Sequence, residues 1–205
     1  MNIFEIKFEG WTLNISINLL VILLIIIFIV VKYFISKRKI KNMKVKEYKI
    51  NVGGLAATIE YDYIDREIAY KSWVEMNTRK IGLEIDEEND VIVEVYNSWY
   101  EFFRIVRDNI KNLPVHKLES SVELIDIITK ILNLYMRSHL TKWQAKFRRW
   151  YDNEKDNEKN KRLTPQEIQR NYPEYQELIN DLKNTSLVLI QLKEELYKLA
   201  FNKIK

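Results

Sequence analysis

Cysteine is absent from the 205 residues, and that absence removes disulfides, thiolate nucleophiles and cysteine-ligated metal sites together. Histidine is nearly absent too. His116 and His139 lie far apart in the chain, so neither a paired-histidine metal motif nor a histidine-based triad is indicated. Only four glycines and three prolines interrupt the sequence, which predicts long and mostly helical elements. There is no P-loop and no nucleophile elbow. The carboxylates of the acidic stretch 84–90 lack the spacing of a calcium loop. The residues therefore point away from an enzyme and call for no metal and no cofactor.

What is abundant comes first in the chain. Residues 15–31 read ISINLLVILLIIIFIVV, an uncharged run that ends at Lys32 and is followed by the basic cluster Lys37, Arg38, Lys39 and Lys41. At about 1.5 Å per residue, such a run with its flanks Trp11 and Tyr33 matches a hydrocarbon core of roughly 30 Å. No basic segment precedes it and no small-residue cleavage site follows it, so an uncleaved anchor is expected rather than a signal peptide. The basic residues on its C-terminal side orient the chain with the N-terminus outside and the remainder cytoplasmic, at the inner membrane.

Charge is concentrated in the same region. Residues 32–49 hold eight Lys or Arg against Glu47 alone, which leaves residues 50–205 with a net charge of −2 out of the chain's +4. The high isoelectric point thus reports attraction to anionic lipid near residues 36–45, and no general basicity of the rest. The expected division is a short external segment over 1–14, a transmembrane helix over 15–35, a basic juxtamembrane segment over 36–45 and a cytoplasmic domain over 46–205. The fold class is mainly α: one N-terminal transmembrane helix, then a helical bundle with a small β-hairpin.

The hairpin is signalled by Gly53-Gly54. A two-residue turn there pairs Val52 with Leu55, Ile50 with Ala57 and Tyr48 with Ile59, all on one apolar face. Helices follow. Residues 63–80 carry Ile64, Ile68, Trp73 and Met76 at helical spacing, with Gly82 placed to end the helix. Residues 91–113 carry the stripe Ile92, Val95, Trp99, Phe102, Val106, Ile110 and Leu113, stopped by Pro114. Ser120 with Glu123 suggests a capping box for a third helix that runs to about Tyr151, with Val122, Ile125, Ile128, Leu132 and Tyr135 inward. Thr164-Pro165-Gln166-Glu167 is a second capping box. The last helix repeats Tyr175, Leu178, Leu182, Thr185, Leu189, Leu192, Leu196 and Leu199 as heptads. Leu178, Leu182, Leu189, Leu192 and Leu196 are accordingly candidates for oligomerisation, and equally for packing inside the chain's own bundle.

The most chemically pointed segment is 137–151. Helical projection places Met136, Leu140, Trp143, Phe147 and Trp150 on an apolar face, and His139, Lys142, Lys146 and Arg149 on a basic one. No acidic residue occurs in this stretch to neutralise the cations. His139, Lys142, Trp143, Lys146, Arg148 and Arg149 are the candidate nucleotide or polyanion site, with cations for phosphates and aromatics for bases. A solvated outer face of a core helix, and a docking surface for lipid or a partner, are the alternatives. Within the apolar run, Ser16 and Asn18 are the polar side chains, candidates for pore lining or for interfacial placement.

The segments DVIVEVYNSWY at 90–100 and HLTKWQAKFRRWY at 139–151, following one apolar run and a basic stop, resemble the membrane effectors of bacterial anti-phage defence systems, such as the nucleotidyltransferase-paired effector of the Hailong type. The resemblance implies a homo-oligomer that reads a nucleotide or oligonucleotide in its cytoplasmic domain, permeabilises the membrane and works beside a nucleotidyltransferase. A membrane-anchored helical scaffold that recruits a protein partner is the alternative.

Overall fold

The computed structural model describes residues 4–9, 12–17, 19–41 and 46–201. The chain divides into two compact units, Met1–Lys44 and Val45–Lys205.

The first unit opens with an unanticipated antiparallel pair, β1 (Phe4–Glu9) and β2 (Thr12–Ile17), in register from Phe4 opposite Ile17 to Glu9 opposite Thr12. Helix α1 (Leu19–Lys41) follows. This arrangement overturns the expected transmembrane helix over 15–35. The start of the apolar run is drawn into β2, and the uncharged part of α1, residues 19–31, rises only about 20 Å at 1.5 Å per residue before Lys32. A hydrocarbon core needs roughly 30 Å. Among the described residues, no helix is long and apolar enough to cross a membrane. The pore role of Ser16 and Asn18 goes with the span: Ser16 lies in β2 opposite Glu5, and Asn18 lies outside the described residues. Along α1, residues 22–31 are exposed one after another, so every face of that stretch is apolar.

The second unit begins with the expected hairpin, β3 (Lys46–Val52) and β4 (Leu55–Tyr61), in the register read from the sequence: Val52 opposite Leu55, Ile50 opposite Ala57, Tyr48 opposite Ile59. Gly53 and Gly54 have φ of 58° and 78°, the left-handed conformation that a tight two-residue turn demands. The buried face of Tyr48, Ile50, Val52, Ile59 and Tyr61 joins the helical core. Each large side chain buried this fully contributes roughly 1.5–3 kcal/mol, which a free hairpin would forgo.

Helix α2 (Tyr63–Thr78) starts at a capping box that the sequence reading missed. The Asp62 carboxylate accepts the N–H of Ile64 at 2.7 Å and of Asp65 at 3.3 Å, while Asp65 accepts the Asp62 N–H at 2.8 Å. Helix α3 (Ile92–Lys111) buries Ile92, Val95, Trp99, Phe102 and Val106, the stripe its periodicity announced. The expected cap at Ser120 does not form. Ser120 bonds the Lys117 carbonyl instead, and α4 (Val122–Ile131) starts without a side-chain cap. Its inward face is Leu124, Ile127, Ile128 and Ile131, whereas Val122 is exposed.

From α4 the helix continues without a break through a widened π turn (Leu132–Arg137) into α5 (Ser138–Lys155). A π turn inserts an extra residue into the helical repeat and rotates all that follows, which moves side chains that a uniform 3.6-residue projection places elsewhere. Helix α6 (Pro165–Arg170) has the expected Thr164–Glu167 capping box. Helix α7 (Tyr175–Ala200) then crosses the unit, packing on α2, β3 and α5. Leu178, Leu182, Leu189, Leu192 and Leu196 are all fully buried within this one chain. The leucine repeat builds the protomer's own core and leaves no such surface for a second copy.

Candidate anion-binding surface

The six residues proposed on α5 do not share one surface. His139 and Trp143 are buried in the core, and Lys142, Lys146 and Arg149 are exposed. Arg148 lies between, its guanidinium donating to Asn97 Oδ1 of α3 at 2.7 Å. The inward face of α5 is His139, Trp143, Phe147 and Tyr151, so the histidine assigned to the basic face belongs to the core.

His139 is held at both ring nitrogens. Nδ1 lies 2.7 Å from Asp181 Oδ2 and Nε2 lies 3.1 Å from the Tyr96 hydroxyl. The consistent assignment has neutral His139 donating from Nδ1 to the Asp181 carboxylate and accepting at Nε2 from Tyr96. Burial pushes the His139 pKa below its ordinary value, and the Asp181 carboxylate partly offsets that push. Tyr96 is fully buried and its hydroxyl pKa is raised, chiefly by burial. The Asp–His–Tyr chain therefore has the connectivity of a proton relay, but its hydroxyl has no access to a substrate.

Asp181 joins this core chain to the surface. The same Oδ2 that meets His139 also accepts the indole N–H of Trp143 at 2.9 Å, and its side chain is 39% exposed. Lys142 and Lys146 place their ammonium groups 4.5 and 4.1 Å from the Trp143 ring. Two cations thus converge on one indole whose N–H is tied to Asp181.

Neighbouring acids correct the impression of an unneutralised stripe. Glu174, just before α7, pairs with Lys146 at 2.9 Å, and its pKa is held below the ordinary carboxylate range first by that hydrogen bond. Glu174 and Asp181 could not be found by scanning α5 for acids three or four residues away, because they arrive from a different element. Arg149 forms no ion pair among the described residues. What remains of the predicted site is Lys142 and Lys146 over a buried indole, with exposed Arg149 on the same helix and with Glu174 and Asp181 as members the sequence did not reveal.

The acidic stretch is a structured loop. Asp86 accepts from the backbone N–H groups of Glu88 and Asn89 at 3.0 and 3.2 Å, and Asp90 pairs with Lys80 at 2.9 Å. Gln169 of α6, itself buried, accepts the Ile92 N–H at 2.9 Å and donates to the Asp90 carbonyl at 2.8 Å.

Compared with protein families, characterised proteins and solved structures, the chain matches none.

Proposed function

We propose that this protein is a non-enzymatic sensor of an anionic ligand, taken up on Lys142, Lys146 and Arg149, and that it acts by self-association through the apolar surface of α1. The observation that carries the proposal is Asp181, which bonds Trp143 beneath the lysines and His139 in the core at once. A phosphate on the lysines competes with Glu174 for Lys146, and exposed ion pairs of this kind contribute little and are readily exchanged. The altered field then acts on Asp181 and, through it, on the packing around His139. A nucleotide or oligonucleotide is the ligand class expected from the likeness to defence effectors, and a nucleotidyltransferase would be its source.

The test is fluorescence-anisotropy titration of the full-length chain with a labelled single-stranded oligonucleotide across a salt series. Replacing Lys142, Lys146 and Arg149 by Glu is expected to weaken binding and to lower the log–log salt slope by about 2, at about 0.7 per phosphate contact on a single strand. An unchanged slope would remove the site. Sedimentation with and without the oligonucleotide tests the output, since substitution of Leu24 and Phe28 by Glu is expected to leave only smaller species. Loss of phage protection in cells expressing the triple variant would connect the site to defence.

A further inference from the structure

A second site lies where α3 meets the long helix, away from Lys142 and Lys146. Val106, Ile110 and Leu132 wall a groove of about 260 Å³, and Arg107, Lys111 and Arg137 stand around it. Val106 and Leu132 are 2% and 3% exposed, so the walls are part of the packed core, while the three cations reach solvent.

The charge around the groove is one-sided. Arg104, one turn earlier on α3, holds Glu101 at 2.9 Å and Asp108 at 3.5 Å, and Lys130 holds Asp126 at 2.7 Å. Among the described residues Arg107, Lys111 and Arg137 hold no carboxylate, and none lines the groove. Arg107 and Arg137 nevertheless bring their guanidinium groups over the same ring, Phe103, at 5.7 and 5.2 Å. Two like charges gathered on one ring repel each other, and an anion between them relieves the repulsion.

The π turn shapes the groove. It carries Leu132, Asn133 and Arg137 toward α3, and π turns recur at binding sites because they redirect side chains in this way. Asn133 also contributes a buried amide oxygen without a hydrogen-bond partner. An apolar trough with a cationic rim is the complement of an alkyl chain ending in a carboxylate.

We infer that this groove binds a free acyl carboxylate, with its chain along Val106, Ile110 and Leu132 and its head group between Arg107 and Arg137. Calorimetric titration of the full-length chain with sodium decanoate is the test. Saturable one-site binding is expected, weakened at least about tenfold when Arg107 and Arg137 are both changed to Gln, since two charge-assisted contacts are lost. Thr129→Phe, an exposed position at the groove, fills the trough and is expected to abolish binding while circular dichroism stays unchanged. Decanol, with the chain but no charge, is expected to bind at least about tenfold more weakly than decanoate. The inference is overturned if folded wild-type protein shows no saturable decanoate binding, or if the double variant or decanol binds as tightly. It is equally overturned if the protein binds vesicles of phosphatidylglycerol but not decanoate, because the ligand is then a membrane surface.

Discussion

Tyr135 donates its hydroxyl hydrogen bond to the carbonyl of Gly53, joining the π turn of the long helix to the tip of the β3–β4 hairpin across 82 positions of sequence. The amide N–H of Gly53 donates to Gln191 of α7 at 3.0 Å, so the turn is held from two helices. Pairing within the hairpin sets its register, and these two bonds set where its tip sits.

Gly53→Ala is therefore expected to cost more than Gly54→Ala. A methyl group on Gly53 would meet the Tyr135 ring and hydroxyl at 2.8–2.9 Å, whereas one on Gly54 meets nothing within 4 Å. Both carry the strain of positive φ, about 1 kcal/mol, and Gly53→Ala adds overpacking of about 1–3 kcal/mol. Urea unfolding of both variants decides this, and equal losses would show that Tyr135 yields freely.

Stability is expected to fall as the pH drops below about 6.5, the ordinary histidine value. His139 has a lowered pKa in the fold, so between its folded and unfolded pKa values the unfolded chain binds the additional proton. Its contribution is complete above the unfolded value and is lost as the pH falls toward the folded one. His139→Gln should flatten the profile below about pH 6.5, the ordinary histidine value. A slope unaltered by the substitution would assign the effect to another group.

Gln169→Leu is expected to destabilise the chain by about 2–4 kcal/mol, because the buried Ile92 N–H and the half-buried Asp90 carbonyl each lose a partner. Hydrogen exchange at Ile92 should accelerate along with the loss of stability. A variant that unfolds like the wild type would mean that water replaces the amide.

Leu189→Ala is expected to cost about 2–5 kcal/mol, the range for truncating a fully buried leucine. Its sedimentation should match that of the wild type wherever it remains folded. A change of oligomeric state with little change in stability would return the leucine repeat to the role of an interface.

Several features were legible because they depend on neighbours in the chain. The Gly53-Gly54 turn fixes its own register, the α3 stripe and the α7 heptads identify their buried faces, and Thr164 with Glu167 announces a helix start. The failures share a cause as well. The apolar run looked like one helix until pairing with β1 claimed its first residues for β2, and α4 buries Leu124, Ile127 and Ile131 beside the expected Ile128 and Leu132, while Val122, expected inward, is exposed.

The sequence by itself determined the helical class of the second unit, the hairpin and the exclusion of cysteine chemistry, since composition and periodicity act locally. Tertiary structure alone decided which charges stand free. Glu174 reaches Lys146 across 28 positions and Asp181 reaches His139 across 42, while Arg107 and Arg137 come from separate helices to one phenylalanine ring. Side-chain electrostatics acts over a few ångströms of space, and spacing along the chain does not report that distance.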